Sequence, residues 1–233
     1  ENAAALAFCG ACFGGAQAEA WLRRGVEILT HELAEQVLPD GGHFERSPMY
    51  HVRVASLLRL LGATGHAELE RLVAEPLHRM LRALEVLQHP DGEIALLNDS
   101  AFGIANRPDA LCEGTPAAGC FALPETGYYG ARSDEGDYVV CDAAPIGPDY
   151  NPGHAHADLL SFELSLDGRR VFVDAGVHGY DGDPLRAHCR STAAHNTVAI
   201  DGADQCEMWG TFRVGRRARP RDVSWQPLED GFE

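Results

Sequence analysis

Residues 151–180 read NPGHAHADLLSFELSLDGRRVFVDAGVHGY, and residues 191–205 read STAAHNTVAIDGADQ. Apolar and polar residues alternate over 159–166 and again over 170–174. This period of two predicts a pair of antiparallel strands joined by the tight turn Leu-Asp-Gly-Arg. The stretch therefore predicts an antiparallel sheet whose strand ends carry an unusual number of polar side chains.

Four of these polar side chains have the spacing of a binding site. His154 and His156 are two residues apart, Asp174 ends a predicted strand, and His195 precedes a further strand predicted over 197–200. In an extended strand, residues i and i+2 point to the same face, about 6.5–7 Å apart. Three N/O ligands with an open fourth position are typical of a zinc site. The alternative that these histidines are ordinary surface or core residues stays open, because the chain has 11 histidines and most histidines in proteins bind no metal.

The overall composition is that of an acidic globular protein. The chain has 233 residues, of which 45% are hydrophobic and 23% charged, and its net charge is −16. This charge argues against nucleic-acid binding, which requires a basic surface. No apolar run approaches the ~18–20 residues of a membrane span. Seven cysteines, an odd number in a chain with an ample core, do not predict a disulfide framework.

The first third of the chain predicts helices. Apolar residues recur at helical spacing over 21–33, 54–61 and 69–87. Ser47 and Pro48 have the residue types of an N-cap and a first helical position. Helices joined by short turns favour an array of helical hairpins.

After about residue 100 the pattern changes to short alternating runs. Besides the strands already given, these predict strands over 127–131, 137–142 and 211–214. We therefore expect an α+β multidomain chain with a helical part over 1–125 and a β-sandwich over 126–233.

Two segments resemble the heparinase II/III-like polysaccharide lyase family. The first is PDGGHFERSPMYH at 39–51, and the second is the histidine-rich stretch, with HxHxDxLSF, VDxG, HNTV and DGxxQ. The resemblance spans most of residues 1–215. It implies the C-terminal part of an incomplete α/α toroid followed by an antiparallel β-sandwich. It also implies cleavage of uronic-acid-containing polysaccharides, glycosaminoglycan or alginate, by β-elimination.

The resemblance assigns roles to individual residues. Tyr50 matches the family's catalytic tyrosine, and His154 matches a histidine of the active-site cleft. The metal ligands of the family match His156, Asp174 and His195, which implies zinc or another divalent metal. Around Tyr50, the polar residues His43, Glu45 and His51 are candidate substrate contacts. The alternative is that they are ordinary surface residues at the start of a helix and contact no substrate.

β-Elimination needs these groups for definite reasons. The carboxylate beside C5 must be neutralised, a base must take the C5 proton, and an acid must protonate the leaving oxygen at C4. A tyrosine can serve either proton transfer if neighbouring positive charge lowers its pKa from about 10. Histidine can act as a base near neutral pH.

One element of the family pattern lies outside this sequence. The resemblance implies a further Asn or His about fifty residues before the tyrosine, which would lie upstream of Glu1. We therefore expect the chain to be a piece of a longer protein that is active as a whole. The resemblance favours a periplasmic or secreted location and an anionic polysaccharide partner, while seven cysteines leave a cytoplasmic location open. The oligomeric state is open, and a dimer is compatible with the sequence.

Two other functions compete with the lyase. In a non-catalytic carbohydrate-binding or structural module, the metal ligands would only stabilise the β-sandwich, and Tyr50 would not need to face His154. A metal-dependent hydrolase would use a metal-bound water and form no unsaturated product. The sequence does not identify the polysaccharide.

Overall fold

A computed structural model describes residues 1–112, 114–229 and 231–233 of the chain. Four helices form its first part: α1 (Asn2–Cys12), α2 (Ala16–Gln36), α3 (Pro48–Gly62) and α4 (Ala67–Val86). Helix α1 packs on α2, and α3 packs on α4. The predicted helical hairpins are therefore confirmed, and α1 precedes the first of the three apolar patterns.

The first hairpin is close-packed at two glycines. A Cβ atom on Gly10 would lie 2.5 Å from the backbone nitrogen of Leu22, and one on Gly25 would lie 2.6 Å from that of Ala7. Contacts this short are sterically forbidden, so only glycine allows the α1 and α2 backbones to approach this closely.

Helix α3 begins where its cap predicts. The Ser47 hydroxyl accepts a hydrogen bond from the backbone N–H of Tyr50, and Pro48 occupies the first turn. This cap fixes the position of Tyr50 one turn into the helix.

The second part is built on a five-stranded antiparallel sheet in the order β1-β2-β3-β4-β5. The strands are β1 (Gly119–Leu123), β2 (Tyr128–Arg132), β3 (Tyr138–Asp142), β4 (Phe162–Leu166) and β5 (Arg169–Phe172). Strands β2 to β5 correspond to predicted runs, whereas β1 was not predicted. Compared with the predicted runs, β3 and β4 begin later, β5 ends earlier, and β2 is displaced by one residue.

The end of α4 packs on one face of this sheet. Ala83 and Leu87 join Leu97, Tyr128 and Tyr138 in one buried apolar cluster. The hydroxyl group of Tyr138 donates a hydrogen bond to the Val86 carbonyl, 2.7 Å away. Helical part and sheet therefore share a core.

Two local predictions were wrong. Residues 197–200 form no strand and contribute only an isolated bridge between Ile200 and Ala203. His154 and His156 lie in a loop before β4 and not in a strand, so strand alternation does not explain their shared direction.

The remaining elements are short. Helix α5 (Pro184–Cys189) follows the sheet, and the ribbons β6 (Met208–Trp209) with β7 (Arg213–Val214) and β8 (Pro227–Leu228) with β9 (Gly231–Phe232) follow α5. Among the helices of the described ranges, none has the length and apolar character needed to cross a bilayer.

Candidate active site

Tyr50 and His154 lie against each other where the helical part meets the sheet. Their rings stack with centroids 4.0 Å apart and planes 29° from parallel. The Ser47 hydroxyl, which caps the helix of Tyr50, also donates to the Asp99 carbonyl at 2.6 Å. The Asp99 backbone N–H in turn donates to the His154 carbonyl. A single segment around Asp99 thus ties together the two chain regions that carry the tyrosine and the histidine.

The side chain of Asp99 holds both histidines of the His-x-His motif. Its Oδ2 lies 2.9 Å from Nδ1 of His154, and its Oδ1 lies 2.8 Å from Nε2 of His156. The guanidinium of Arg186 binds both carboxylate oxygens. Burial alone would raise the pKa of Asp99, but the hydrogen bonds from His154, His156 and Arg186 hold it well below its usual range. Asp99 is therefore an ionised carboxylate in a buried position.

Helix α5 and the residue that follows it supply two cations that hold the loop of His154 and His156. Asp183 caps the helix by accepting the backbone N–H of Arg186 at 2.7 Å. Arg186 and Arg190 lie one turn apart, and both are 1% exposed. Arg190 Nε donates to the Ala155 carbonyl at 3.1 Å, between the two histidines of the motif. The conformation of that loop is thus set by long-range hydrogen bonds.

Of the three predicted substrate contacts, Glu45 lies at the site. Its Oε2 is 3.9 Å from Nε2 of His154, and its Oε1 accepts a hydrogen bond from Asn151 at 2.9 Å. Burial, opposed by His154 and reinforced by Asp99, raises the pKa of Glu45.

The structure places the other two predicted contacts beneath the surface. His51 is 1% exposed, and its Nε2 lies 2.8 Å from the Met80 carbonyl, so it faces the helical core. His43 is 4% exposed, and both of its ring nitrogens lack a hydrogen-bond partner among the described residues. In this conformation neither side chain is positioned to touch a polysaccharide.

Tyr50 is a neutral phenol in this environment. Burial raises its pKa, although the hydrogen bond to Tyr180 and the charge of Arg53 oppose the shift. The Arg53 guanidinium lies 5.5 Å from the centroid of the Tyr50 ring. A protonated tyrosine beside a histidine is suited to donate a proton while the imidazole accepts one.

The three predicted metal ligands lie in one buried cluster behind the cleft. Asp174 Oδ2 is 2.7 Å from Nδ1 of His195, and the rings of His195 and His156 are 5.3 Å apart. Asp158 joins them: one ligand atom from each of His156, Asp158 and His195 lies within 4.8 Å of the others.

The donor atoms of this cluster fit a cation. His156 Nδ1, Asp158 Oδ2 and His195 Nε2 are buried and have no hydrogen-bond partner among the described residues. Burial raises the pKa of Asp158, although His195 and His156 oppose the shift. Buried polar atoms normally have partners, and two imidazoles with carboxylates are the donors that zinc accepts.

Four residues of the site were not predicted. Asp99 and Tyr180 contact predicted residues, Asp158 shares the cluster of His156 and His195, and Arg186 binds Asp99. Asp158 belongs to the HxHxD motif, so its spacing was a usable signal. Asp99 follows the apolar run Ala95–Leu97 within the polar triplet Asn-Asp-Ser, and a polar triplet of this kind gives no direct indication of its distant partners.

Two family models together match most of the chain. The family model described as heparinase II/III N-terminus matches residues 1–109, and the one described as heparinase II/III-like, C-terminal, matches residues 115–230. The chain belongs to the heparinase II/III-like family. The two matches meet in the segment between α4 and β1, where the helical part gives way to the sheet.

Curated relatives carry the name heparin-sulfate lyase. The protein from Pedobacter heparinus is 28% identical over 217 residues, which cover 78% of this chain and 32% of that protein. The protein from Bacteroides thetaiotaomicron is 26% identical over 236 residues, covering 78% and 33%. The chain thus spans about a third of the length of these relatives.

Solved structures share the fold. A crystal structure of heparinase III superposes with a TM-score of 0.77 at 20% identity, covering 97% of this chain and 40% of that one. Heparan sulfate lyase HepC from Pedobacter heparinus gives a TM-score of 0.70 at 25% identity, covering 89% and 38%. The helices followed by an antiparallel sheet are therefore a known arrangement of this family.

Proposed function

We propose that this chain carries the proton-transfer groups of a lyase that cleaves uronic-acid-containing polysaccharide by β-elimination. The observation that carries the proposal is the stacking of Tyr50 on His154, 4.0 Å between centroids. The two residues belong to different parts of the chain, and nothing local requires them to meet. In the same proposal, the helices belong to an α/α toroid and the sheet to a β-sandwich.

In the proposed reaction, Tyr50 and His154 divide two proton transfers. Nε2 of His154 accepts the proton from C5 of the uronate. The electron pair of that C–H bond forms the C4–C5 double bond as the C4–O bond breaks. The phenol of Tyr50 donates its proton to the departing oxygen. Nδ1 of His154 is bonded to Asp99, whose negative charge stabilises the imidazolium that forms.

The proposed metal ligands are the three residues that the sequence predicts. We propose that His156, Asp174 and His195 hold a divalent metal, with zinc favoured by the donor atoms. Asp158 adds a neighbouring carboxylate, because one of its oxygens and one nitrogen from each of the two histidines lie within 4.8 Å of one another. The metal would supply a positive charge that holds the loop before β4 and the segments after β5 together, behind the cleft.

Tyr50→Phe tests the lyase proposal. In the intact protein, this variant should lose about 10²–10⁴ of the rate, the usual contribution of one proton-transfer group. The rate is followed by the ultraviolet absorbance of the new double bond on a panel of uronate polymers. Heparan sulfate heads the panel, because curated relatives are named heparin-sulfate lyases, and alginate follows. A Tyr50→Phe variant with parental turnover would refute the role of Tyr50.

The same panel separates the competing functions. A metal-dependent hydrolase would shorten the polymers without forming the absorbing double bond. A non-catalytic module would bind a polymer without shortening it. The close Tyr50–His154 contact favours the lyase, since neither alternative needs a phenol stacked on an imidazole.

A further inference from the structure

Asp99 lies between His154, in the cleft, and His156, in the buried cluster. The side chain of Asp99 is 0% exposed, that of His156 is 0% exposed, and that of His154 is 20% exposed. Asp99 Oδ2 contacts Nδ1 of His154, whereas Asp99 Oδ1 contacts Nε2 of His156. One carboxylate thus binds the opposite nitrogens of two imidazoles, one in the cleft and one in the buried cluster.

These contacts fix where each imidazole carries its proton. Because the Arg186 guanidinium donates to both oxygens of Asp99, the side chain is a carboxylate that only accepts hydrogen bonds. Each histidine nitrogen bonded to Asp99 must therefore carry hydrogen. Neutral His154 therefore has its lone pair on Nε2, the nitrogen nearer to Glu45. Neutral His156 has its lone pair on Nδ1, which is buried and without a partner among the described residues. The lone pairs are directed to the two sites where a base and a metal ligand are required.

Arg186 keeps Asp99 in this state. Its guanidinium binds both oxygens of Asp99, and its NH2 group also donates to the Thr211 carbonyl at 3.1 Å. Arg186 lies in α5, and its guanidinium carbon is 5.3 Å from the centroid of the Tyr180 ring. With Arg186 bound to both oxygens of Asp99, each oxygen also accepts a hydrogen bond from one histidine: Oδ2 from His154 and Oδ1 from His156.

We propose that Asp99 is a positioning residue that sets the tautomers of His154 and His156 together, and so joins the proton-transfer pair to the metal cluster. The inference rests on the proposed function for the roles of the two histidines. It goes beyond that function because it assigns to one residue, Asp99, the tautomer of the proposed base and that of a proposed metal ligand. Asp99 itself touches neither substrate nor metal.

The first test needs no substitution. Nitrogen-15 NMR of histidine-labelled protein, prepared without metal, reports which ring nitrogen carries hydrogen. The expected result is Nδ1–H for His154 and Nε2–H for His156. The reverse tautomer at either histidine would overturn the inference, and this readout stands whether or not the protein is a lyase.

The second test is Asp99→Asn in the intact protein. An amide keeps one acceptor but replaces the other by a donor, so at least one histidine must change its tautomer. Zinc affinity, measured by competition with a chelator, should fall about 10–100-fold, as when the partner of a metal-bound histidine is lost. With a cleaved polymer, kcat should fall while KM changes little. Unchanged zinc affinity together with parental tautomers would refute the proposal.

Two further variants separate positioning from stability. His89→Gln removes another buried histidine–carboxylate contact, since His89 Nε2 lies 2.7 Å from Glu163 Oε2 with both side chains 0% exposed. It should lower stability while leaving both tautomers and the zinc affinity at parental values. Arg186→Lys keeps the carboxylate and should retain the tautomers. If His89→Gln changes the zinc affinity as much as Asp99→Asn does, the effect is one of stability and the inference fails.

Discussion

The phenol oxygens of Tyr50 and Tyr180 lie 2.9 Å apart, although 130 positions separate the two residues in the sequence. The ring of Tyr180 stacks on Phe212, with centroids 5.7 Å apart, and it contacts His154 edge-on at 6.1 Å. Burial raises the pKa of Tyr180, and the hydrogen bond to Tyr50 raises it further. Tyr180 is therefore a neutral phenol within hydrogen-bond distance of the proposed catalytic phenol.

Tyr180→Phe should slow the reaction without abolishing it. When Tyr50 gives up its proton, the Tyr180 hydroxyl can donate to the resulting phenolate, a charged hydrogen bond of about 1.5–3 kcal/mol. Its loss should lower kcat by roughly 10–100-fold. The same bond lowers the pKa of Tyr50, so the alkaline limb of the pH–rate profile should move to higher pH in the variant. Tyr129→Phe, on β2 beside Trp225, is the matched control and should leave both quantities unchanged.

The two carboxylates of the metal cluster should differ in their contributions. Asp174→Asn should abolish zinc binding, because Asp174 is the proposed oxygen ligand. Asp158→Asn should weaken zinc binding by about 10–100-fold, as expected when a carboxylate beside the ligating groups is lost. Metal content after dialysis and competition with a chelator measure both. The opposite ranking would make Asp158, whose Oδ2 has no partner among the described residues, the ligand.

Removing the metal should also lower stability. A metal that binds only the folded protein stabilises it by about 2.7 kcal/mol at a free concentration of 100 Kd. Chelator treatment should therefore lower the melting temperature of the parent and leave that of Asp174→Asn unchanged. An equal decrease in both proteins would show that the chelator acts elsewhere.

Those parts of the fold that depend on local chemistry could be predicted from the sequence. Ser47 and Pro48 mark the start of α3 because capping involves residues only a few positions apart. Strands β2 to β5 follow from the alternation of apolar and polar residues in the sequence. In β2 and β3 this alternation matches a face that is buried against the end of α4. β1 was missed because its Gly-Cys-Phe-Ala-Leu sequence alternates weakly and lies in a loop-rich region.

The centre of the site could not be predicted in this way. Asp99 lies 55 positions from His154 and 87 from Arg186, and no periodic pattern connects them. The two histidines of the motif converge because of Asp99 and of Arg190, which binds the carbonyl between them, not because of strand alternation. The site is set by tertiary contacts of buried charges, which local sequence patterns do not record.

Glu163 should be important for stability because it links the sheet to the segment after α4. Its Oε2 contacts His89 at 2.7 Å and Arg170 at 3.2 Å, and its Oε1 accepts the backbone N–H of Leu96 at 2.7 Å. Glu163→Gln removes the buried charge that His89 and Arg170 contact, while Arg170 keeps its hydrogen bonds to Asp91. We therefore expect a loss of about 1–3 kcal/mol in the free energy of unfolding, the cost of leaving buried polar groups without their partner. Urea denaturation measures this loss.

The control for Glu163 is an exposed pair. Glu27 lies 2.8 Å from Arg24 on α2, and both side chains are more than half exposed. Glu27→Gln should change the free energy of unfolding by less than about 0.5 kcal/mol. A similar small change for Glu163→Gln would show that the buried network contributes little to the fold.

The buried histidines near α3 should make the protein sensitive to acid. Burial lowers the pKa of His43 to about 3, with the nearby His51 and His154 adding to the shift, and burial lowers that of His51 to about 4 although its bond to Met80 opposes this. Below an unfolded-state pKa of about 6.5, the unfolded chain binds these protons and the folded chain does not. Stability is therefore lost as pH falls from about 6.5 toward 4, by about 1.4 kcal/mol per pH unit for each histidine.

His43→Leu tests this assignment. The free energy of unfolding, measured in urea between pH 7.5 and 4.5, should fall less steeply below pH 6.5 in the variant, by about 1.4 kcal/mol per unit. Carboxylates that also titrate in this range contribute equally to both proteins, so the difference belongs to position 43. His31→Leu, at a side chain 76% exposed, should keep the parental slope. If His43→Leu also keeps it, the imidazole of His43 is protonated in the folded protein and lies in a more solvated position than the structure gives it.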